Sequence, residues 1–121
     1  MAAEAATTKA TTKRWRAVHR FARVSPRKAR LVIDLIRGQR VNTAQDILRF
    51  TPKRSSALVD KVLRSAIANA SEDEADVRSL YVVTAKIDEG PRMRRWRPKD
   101  RGRAHAILKR LSHIVVEVEE R

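Results

Sequence analysis

Hydrophobic and polar residues alternate with a period of two near both ends of the chain and recur with a helical period between them. Residues 15–24 alternate weakly, with cations on both faces, and predict a strand. The same period returns at 80–87, which is rich in β-branched residues, and at 114–119, which combines isoleucine and valine with glutamate. The pattern therefore predicts three strands, the last of them half-buried with an acidic outer face.

The first amphipathic helix is predicted to begin at Pro26 and to end at Gly38. Ser25 is a typical N-cap residue, a proline fits the first helical turn, and a glycine commonly follows the last turn. Apolar residues recur at helical spacing between these positions, and the cations fall mostly on other faces. The helix therefore has a basic side, formed by Arg27, Lys28, Arg30 and Arg37.

Two further helices are predicted before the second strand. Asn42 and Gln45 have the spacing of a capping box and predict a short helix. Thr51 and Pro52 predict the cap and first residue of a longer helix, whose broad apolar face ends before the acidic segment 72–76. We expect that segment to form an exposed loop. The polar cations of the longer helix include Lys53, Arg54 and Lys61.

The segment between the last two predicted strands is expected to form a long hairpin at about residues 85–110. If the two strands pair, an arm of about ten residues at about 3.3 Å each reaches roughly 30 Å from the core. Such a ribbon cannot bury its own faces, so we expect it to need a partner in order to become ordered. Regular structure is expected to break at Gly90, Pro91, Pro98 and Gly102.

The charge of the chain is strongly positive and unevenly distributed. The 121 residues include 28 lysines and arginines against 14 acidic residues, a formal net charge of +14, and nine of the cations lie in residues 91–110. This density favours a polyanionic partner, because the cations otherwise repel one another. Residues 1–12 carry no net charge and no hydrophobic period, and are predicted to be a disordered tail.

The composition also excludes several classes of function. The chain has no cysteine, which removes disulfides, thiolate nucleophiles and cysteine-based zinc sites. It has no apolar run long enough to span a membrane, so we expect a soluble intracellular protein. The histidines lack metal-ligand spacing, and the sequence predicts no enzyme, metal or cofactor; they are His19, His105 and His113.

Arginines interleaved with an aromatic residue in the predicted hairpin indicate nucleic-acid binding. Guanidinium groups bind phosphate bidentately and stack on bases, and Trp96 adds a stacking face. Irregular RNA suits this pattern better than a DNA groove, because RNA presents splayed bases and deep crevices. A weaker basic stretch surrounds Trp15, which either stacks on a base or covers the edge of the core. Its cations are Lys13, Arg14, Arg16, Arg20 and Arg23.

Isolated acidic residues and histidines have alternative interpretations. Asp34 is expected to pair with arginines of the first helix. Asp88 and Glu89 form either a metal pair or partners of arginines, and the many neighbouring cations favour the second interpretation. We interpret His113 as a structural residue or an RNA contact, in preference to a general base.

Three segments resemble the bacterial form of large-subunit ribosomal protein twenty-two. Residues 25–38 resemble the first helix of that family, and residues 65–70 resemble the end of its long helix. The most specific match is the family's hairpin signature: Asp88, Glu89, Gly90, Pro91, Met93, Arg95, Pro98, Gly102, Arg103, Ala104, Ile107, Lys109, Arg110, Ser112, His113 and Ile114.

The resemblance implies an α+β fold in which three helices pack on a small three-stranded antiparallel sheet with a long protruding β-hairpin. It implies one rRNA-binding domain of residues 13–121 that binds 23S rRNA in the large subunit and supports assembly. The hairpin tip is expected to line the nascent-peptide exit tunnel opposite large-subunit protein four. The implied partners are this rRNA, neighbouring ribosomal proteins and the nascent peptide, in the cytoplasm, without a membrane, cofactor or homo-oligomer.

The resemblance also implies roles for individual residues. The tunnel-facing tip is expected to comprise Arg92, Met93, Arg94, Arg95, Trp96, Arg97, Pro98 and Lys99. Packing against rRNA is expected at Arg101, Arg103, Lys109 and Arg110. The predicted rRNA-binding set adds the cations of the first strand and of the two basic helices already listed, together with Ser112 and His113. Asp100 and Trp96 depart from residues usual in the family.

Two other classes of function remain open from the residues themselves. A basic architectural protein could insert the hairpin into a groove of DNA. A nuclease could use Asp88 and Glu89 to hold a metal ion. Displacement from RNA by duplex DNA, or magnesium-dependent cleavage, would favour one or the other.

Overall fold

A computed structural model describes residues 13–121 and confirms the α+β class. The predicted disordered tail, residues 1–12, lies outside the described residues. In chain order the elements are β1 (Arg14–Ala22), α1 (Pro26–Ile33), α2 (Val41–Phe50), α3 (Arg54–Glu72), β2 (Leu80–Pro98) and β3 (Ala104–Glu120), with short 3₁₀ turns at Val77–Ser79 and Asp100–Gly102.

The described strands form one antiparallel sheet in the order β1-β3-β2, so β3 is central. Residues directly opposite each other share a face of the sheet. One face carries apolar rows such as Trp15, Val118 and Val82, whereas the other carries Arg14 and Glu119. The acidic outer face predicted for the last strand is therefore confirmed.

The core lies between the apolar face of the sheet and the helices. Its fully buried side chains come from every layer, including Val32 and Ile33 of α1, Leu63 of α3 and Ile114 of β3. Small and branched aliphatic residues dominate because the chain contains so few aromatics. The body, which we define as residues 13–90 and 111–121, is held together by this burial.

A β-bulge changes the inward-facing positions of β2. The register against β3 shifts between Val82 and Thr84, so that Val82 and Ala85 are both buried although their positions differ in parity. A bulge inserts one extra residue and turns the rest of the strand over. The single continuous alternation expected over 80–87 is therefore wrong.

The end of α1 also differs from the prediction. Pro26 is its first residue, as expected, but Ser25 makes no side-chain cap, and the helix ends at Ile33 and not near Gly38. Turns continue to Gly38, which has a φ of +80° and donates its N–H to the carbonyl of Val82 at 2.9 Å. The glycine is needed for this left-handed turn.

The predicted starts of the other two helices are wrong by a few residues. Helix α2 begins one residue before Asn42 and has no side-chain cap, so the capping box does not form. Thr51 ends α2, where its hydroxyl donates to the carbonyl of Ile47 at 2.6 Å, and α3 begins at Arg54. Because α3 continues to Glu72, the acidic segment starts inside the helix.

The predicted hairpin forms, but Gly90 and Pro91, the first two of its four predicted breaks, do not interrupt the strand. Gly90 and Pro91 lie in a bulge between Glu89 and Arg92, within the continuous strand β2. A Cβ at Gly90 would lie 3.1 Å from the carbonyl oxygen of Leu111, so the two strands approach closely there. Beyond the bulge, pairing continues from Arg92 opposite Arg110 to Pro98 opposite Ala104. We call residues 91–110 the arm.

Candidate nucleic-acid interface

The arm exposes cations on both of its faces. The register places Arg92, Arg94 and Trp96 on one face, and Arg95 and Arg97 on the other. Except for half-buried Met93, every residue of the predicted tip is exposed, and 65% of the surface of Trp96 is accessible. The arm therefore offers guanidinium groups and an indole to a partner on either side.

The arm has almost no negative charge of its own. It contains nine cations and one acid, Asp100. Among the ion pairs of residues 13–121, none includes an arm residue. Arg95 instead donates to the neighbouring carbonyl of Arg94 at 2.8 Å. Charges so close together repel one another at low ionic strength. The arm therefore carries an excess of positive charge that the body does not neutralise.

Several predicted RNA-binding cations of the body already have partners within the fold. Arg37 lies 2.9 Å from Asp34, which confirms the predicted ion pair. Arg37 also donates to the carbonyl of Ala85 at 3.1 Å, and Arg30 to that of Ile87 at 3.2 Å. Three more meet carboxylates on the sheet or the end of α3: Lys13 with Asp73, Arg14 with Glu119, and Arg16 with Glu117.

The remaining predicted cations of the body are exposed and have no carboxylate within 4.0 Å in the described part of the chain. They are Arg20, Arg23, Arg27, Lys28, Lys53, Arg54 and Lys61. Several of them converge on the root of the arm. One cleft of about 420 Å³ is lined by Arg27, Arg30, Arg92 and Arg110 together with Glu89. A second, of about 410 Å³, is lined by Arg23, Arg54, Arg95 and Lys109.

Trp15 covers the core, which decides between its two interpretations. Its side chain is buried, and its indole N–H donates to Asp73 at 2.7 Å. This hydrogen bond, followed by the ammonium of Lys13, holds the pKa of Asp73 below its ordinary value. Trp15 is therefore unavailable for stacking on a base, unlike Trp96.

Two residues of the predicted RNA-binding set make hydrogen bonds within the fold. Ser112 is fully buried and its hydroxyl donates to the carbonyl of Val24 at 2.6 Å, so this side chain already has a partner in the core. Half-buried His113 accepts the N–H of Phe21 at Nδ1, 3.1 Å away, with the two rings edge to face. This supports the structural interpretation of His113. Both contacts join residues about ninety positions apart, which no local motif reveals.

The acidic pair at the root of the arm does not hold arginines as predicted. The carboxylate of Asp88 lies 3.9 Å from the ammonium of Lys86, and Glu89 makes no ion pair within residues 13–121. No group of three or more histidine or acidic residues in that range could hold a metal ion. Nor is any helix there long and apolar enough to cross a membrane.

Comparison with known proteins supports what the hairpin signature suggests. The model of the family "Ribosomal protein L22p/L17e" matches residues 17–119. The chain belongs to the ribosomal protein L22 family. It is 51% identical over 107 residues to the large ribosomal subunit protein uL22 of Syntrophobacter fumaroxidans, covering 88% of this chain and 97% of that relative.

Family membership establishes the general role of this L22 protein. It is a structural constituent of the large ribosomal subunit, acts in translation in the cytoplasm, and is not an enzyme. The resemblance stated for residues 25–38, 65–70 and 88–114 is thereby confirmed. The nuclease interpretation of Asp88 and Glu89 is excluded.

Proposed function

We propose that this L22 protein binds large-subunit 23S rRNA through the arm and the seven unpaired body cations named above, supports subunit assembly, and lines the exit tunnel with its tip. One observation carries the proposal. The arm has nine cations, one acid and no ion pair within the described chain. Folded RNA supplies phosphates at the density needed to neutralise such a surface.

The distribution of charge over the arm favours insertion between RNA segments. A protein that lies on one RNA surface needs cations on one face only. Here Arg92 and Arg94 point to one side of the ribbon and Arg95 and Arg97 to the other. A narrow two-stranded ribbon with cations on both sides fits a crevice lined with phosphate on both walls.

The tip is proposed to face the tunnel. Residues Arg92–Pro98 form the outer part of β2 and Lys99 follows it, and the chain turns back through Arg101 and Gly102, which have φ values of +60° and +73°. The exposed indole of Trp96 is placed to contact rRNA bases or a passing peptide. Protein four and the nascent peptide are the proposed neighbours of this tip. Arg101, Arg103, Lys109 and Arg110 are proposed to pack against rRNA.

Binding to 23S rRNA in the presence of excess duplex DNA tests the proposal. The triple variant Arg94→Gln, Arg95→Gln, Arg97→Gln removes three arm charges, and Arg49→Gln, Arg64→Gln, Arg78→Gln removes three exposed charges outside the proposed set. We expect at least a tenfold loss of affinity for the arm variant, from about 0.5 kcal/mol or more per charge, and little change for the control. Equal losses, or displacement by DNA, would contradict rRNA recognition by the arm.

A photocrosslinking amino acid at position 96 tests the placement of the tip. Ribosomes carrying it and stalled on a radiolabelled nascent peptide should form a crosslink to the peptide or to adjacent tunnel rRNA. The same group at the exposed body residue Phe50, 81% accessible, is the control. Crosslinks to the peptide from position 50 alone would refute the tunnel placement.

A further inference from the structure

A third cleft, separate from the arm, lies where α3 begins. Four cations line it: Arg23, Lys28, Lys53 and Arg54. Its volume is about 450 Å³, and none of the acidic residues in the described chain contributes to its wall. No carboxylate in the wall of the cleft therefore neutralises its positive charge. All the residues that line the cleft belong to the body.

The backbone at this point presents free donors. Lys53 caps α3 without a side-chain hydrogen bond, and the N–H groups of Arg54 and Ser55 have no backbone acceptor among residues 13–121. Helix α3 has 19 residues, so its N-terminus carries a full share of the helix dipole. Unpaired N–H groups together with this dipole favour an anion.

A buried hydroxyl supplies independent evidence for a ligand. Ser55 is only 5% exposed, lines the cleft, and has no hydrogen-bond partner in the part of the chain described, whereas the adjacent Ser56 donates to the carbonyls of Thr51 and Lys53. No fully buried side-chain oxygen in that part lacks a partner. The hydroxyl of Ser55 therefore keeps some accessible surface, and because Ser55 lines the cleft this hydroxyl is placed to donate to a ligand there.

We infer that this cleft binds a single phosphate group of the RNA backbone. The N–H groups of Arg54 and Ser55 and the hydroxyl of Ser55 would hold the phosphate oxygens, and the four cations would neutralise the charge. A phosphodiester fits better than a carboxylate, because its several oxygens can accept from backbone, hydroxyl and guanidinium donors at once. The RNA source of the phosphate rests on the proposed function, whereas the anion site rests on the cleft alone.

Titration of the free, full-length protein with inorganic phosphate tests the site. Amide NMR signals are followed at constant ionic strength, with chloride as the replacement anion. We expect saturable shifts that are largest at Arg54 and Ser55. Ser55→Ala should weaken phosphate binding about tenfold, as expected for a lost hydrogen bond to a charged group, while Ser71→Ala, which changes an exposed serine at the far end of α3, should not. Equal shifts with chloride, or shifts spread over all basic segments, would overturn the inference.

Binding of the same variants to 23S rRNA separates this inference from the proposed function. If Ser55→Ala weakens rRNA binding and Ser71→Ala does not, the cleft contacts an RNA phosphate. If wild-type protein binds rRNA but Ser55→Ala binds equally well, the cleft inference fails and the proposed function stands. If the wild-type chain does not bind rRNA, the proposed function and the RNA assignment of the cleft both fail.

Discussion

Replacing Gly90, at the junction between body and arm, is predicted to destabilise the fold for steric reasons. It lies in the bulge between Glu89 and Arg92, directly against the central strand. A Cβ at this position would meet the carbonyl oxygen and carbon of Leu111 at 3.1 and 3.2 Å. These are backbone atoms of a paired strand, so they cannot rotate away as the end of a long side chain can.

The cost of Gly90→Ala follows from this contact. Forcing one extra carbon into a filled site typically destabilises a protein by about 1–3 kcal/mol. At about 4 °C per kcal/mol for a domain of this size, the melting temperature should fall by about 4–12 °C. Separation of the strands at the root should also redirect the arm, so rRNA binding should weaken even below the melting transition.

Gly38 provides the matched control, because it is a glycine for a different reason. Its φ is +80° and an added Cβ would meet nothing within 4 Å. Gly38→Ala should cost about 1 kcal/mol through backbone strain, and Gly38→Asn should recover part of the loss, because asparagine tolerates this conformation. Gly90→Asn should recover nothing. Thermal melting of the four variants measures both effects, and an unchanged melting temperature for Gly90→Ala would refute the close-approach argument.

Three further predictions concern side chains. Arg94→Ala with Arg95→Ala should change the free energy of unfolding of the free protein by less than about 0.5 kcal/mol, because both side chains are exposed; a melting temperature many degrees lower would show that the arm is packed. Ser112→Ala should destabilise the fold by about 1–2 kcal/mol, because the carbonyl of Val24 loses its hydrogen bond from the serine hydroxyl. At low temperature, where the variant is still folded, its affinity for rRNA should be unchanged. A loss of affinity under those conditions would show that Ser112 contacts rRNA. The pKa of Asp73 is lowered in the folded state, so its carboxylate stabilises the fold at pH values above the ordinary pKa of 3.8, and this contribution disappears as the pH falls through the lower folded-state pKa. Denaturation at a series of pH values should therefore show that the difference in stability between wild type and Asp73→Asn shrinks as the pH is lowered. A constant difference would contradict the assignment.

The periodicity of the sequence predicted which elements form, but not where they bend or end. The bulge in β2 was missed because Val83 and Thr84 are both β-branched and fit either face of a strand. Thr51 was misassigned because a hydroxyl can bond backbone groups at either end of a helix. The bulge depends on pairing with β3, whereas the Thr51 hydrogen bond is local and only selects one of two possible helix ends.

The interface was only partly predictable for a related reason. The surplus of cations in residues 91–110 is a property of the sequence alone and is retained in the fold. Whether a given cation is already paired depends on residues far away, as Arg14 shows with Glu119, 105 positions later. The same holds for Ser112, whose buried bond to Val24 spans 88 positions.

The salt dependence of rRNA binding tests the central claim most directly, because counterion release counts the phosphates that the protein neutralises. Affinity for 23S rRNA is measured over a range of salt concentrations for wild type, the triple glutamine variant of Arg94, Arg95 and Arg97, and the matched triple variant of Arg49, Arg64 and Arg78. If the arm is neutralised by RNA, the slope of log affinity against log salt should fall by about one for each arm cation removed and stay unchanged in the matched variant. A slope that is the same for wild type and the arm variant would contradict the claim.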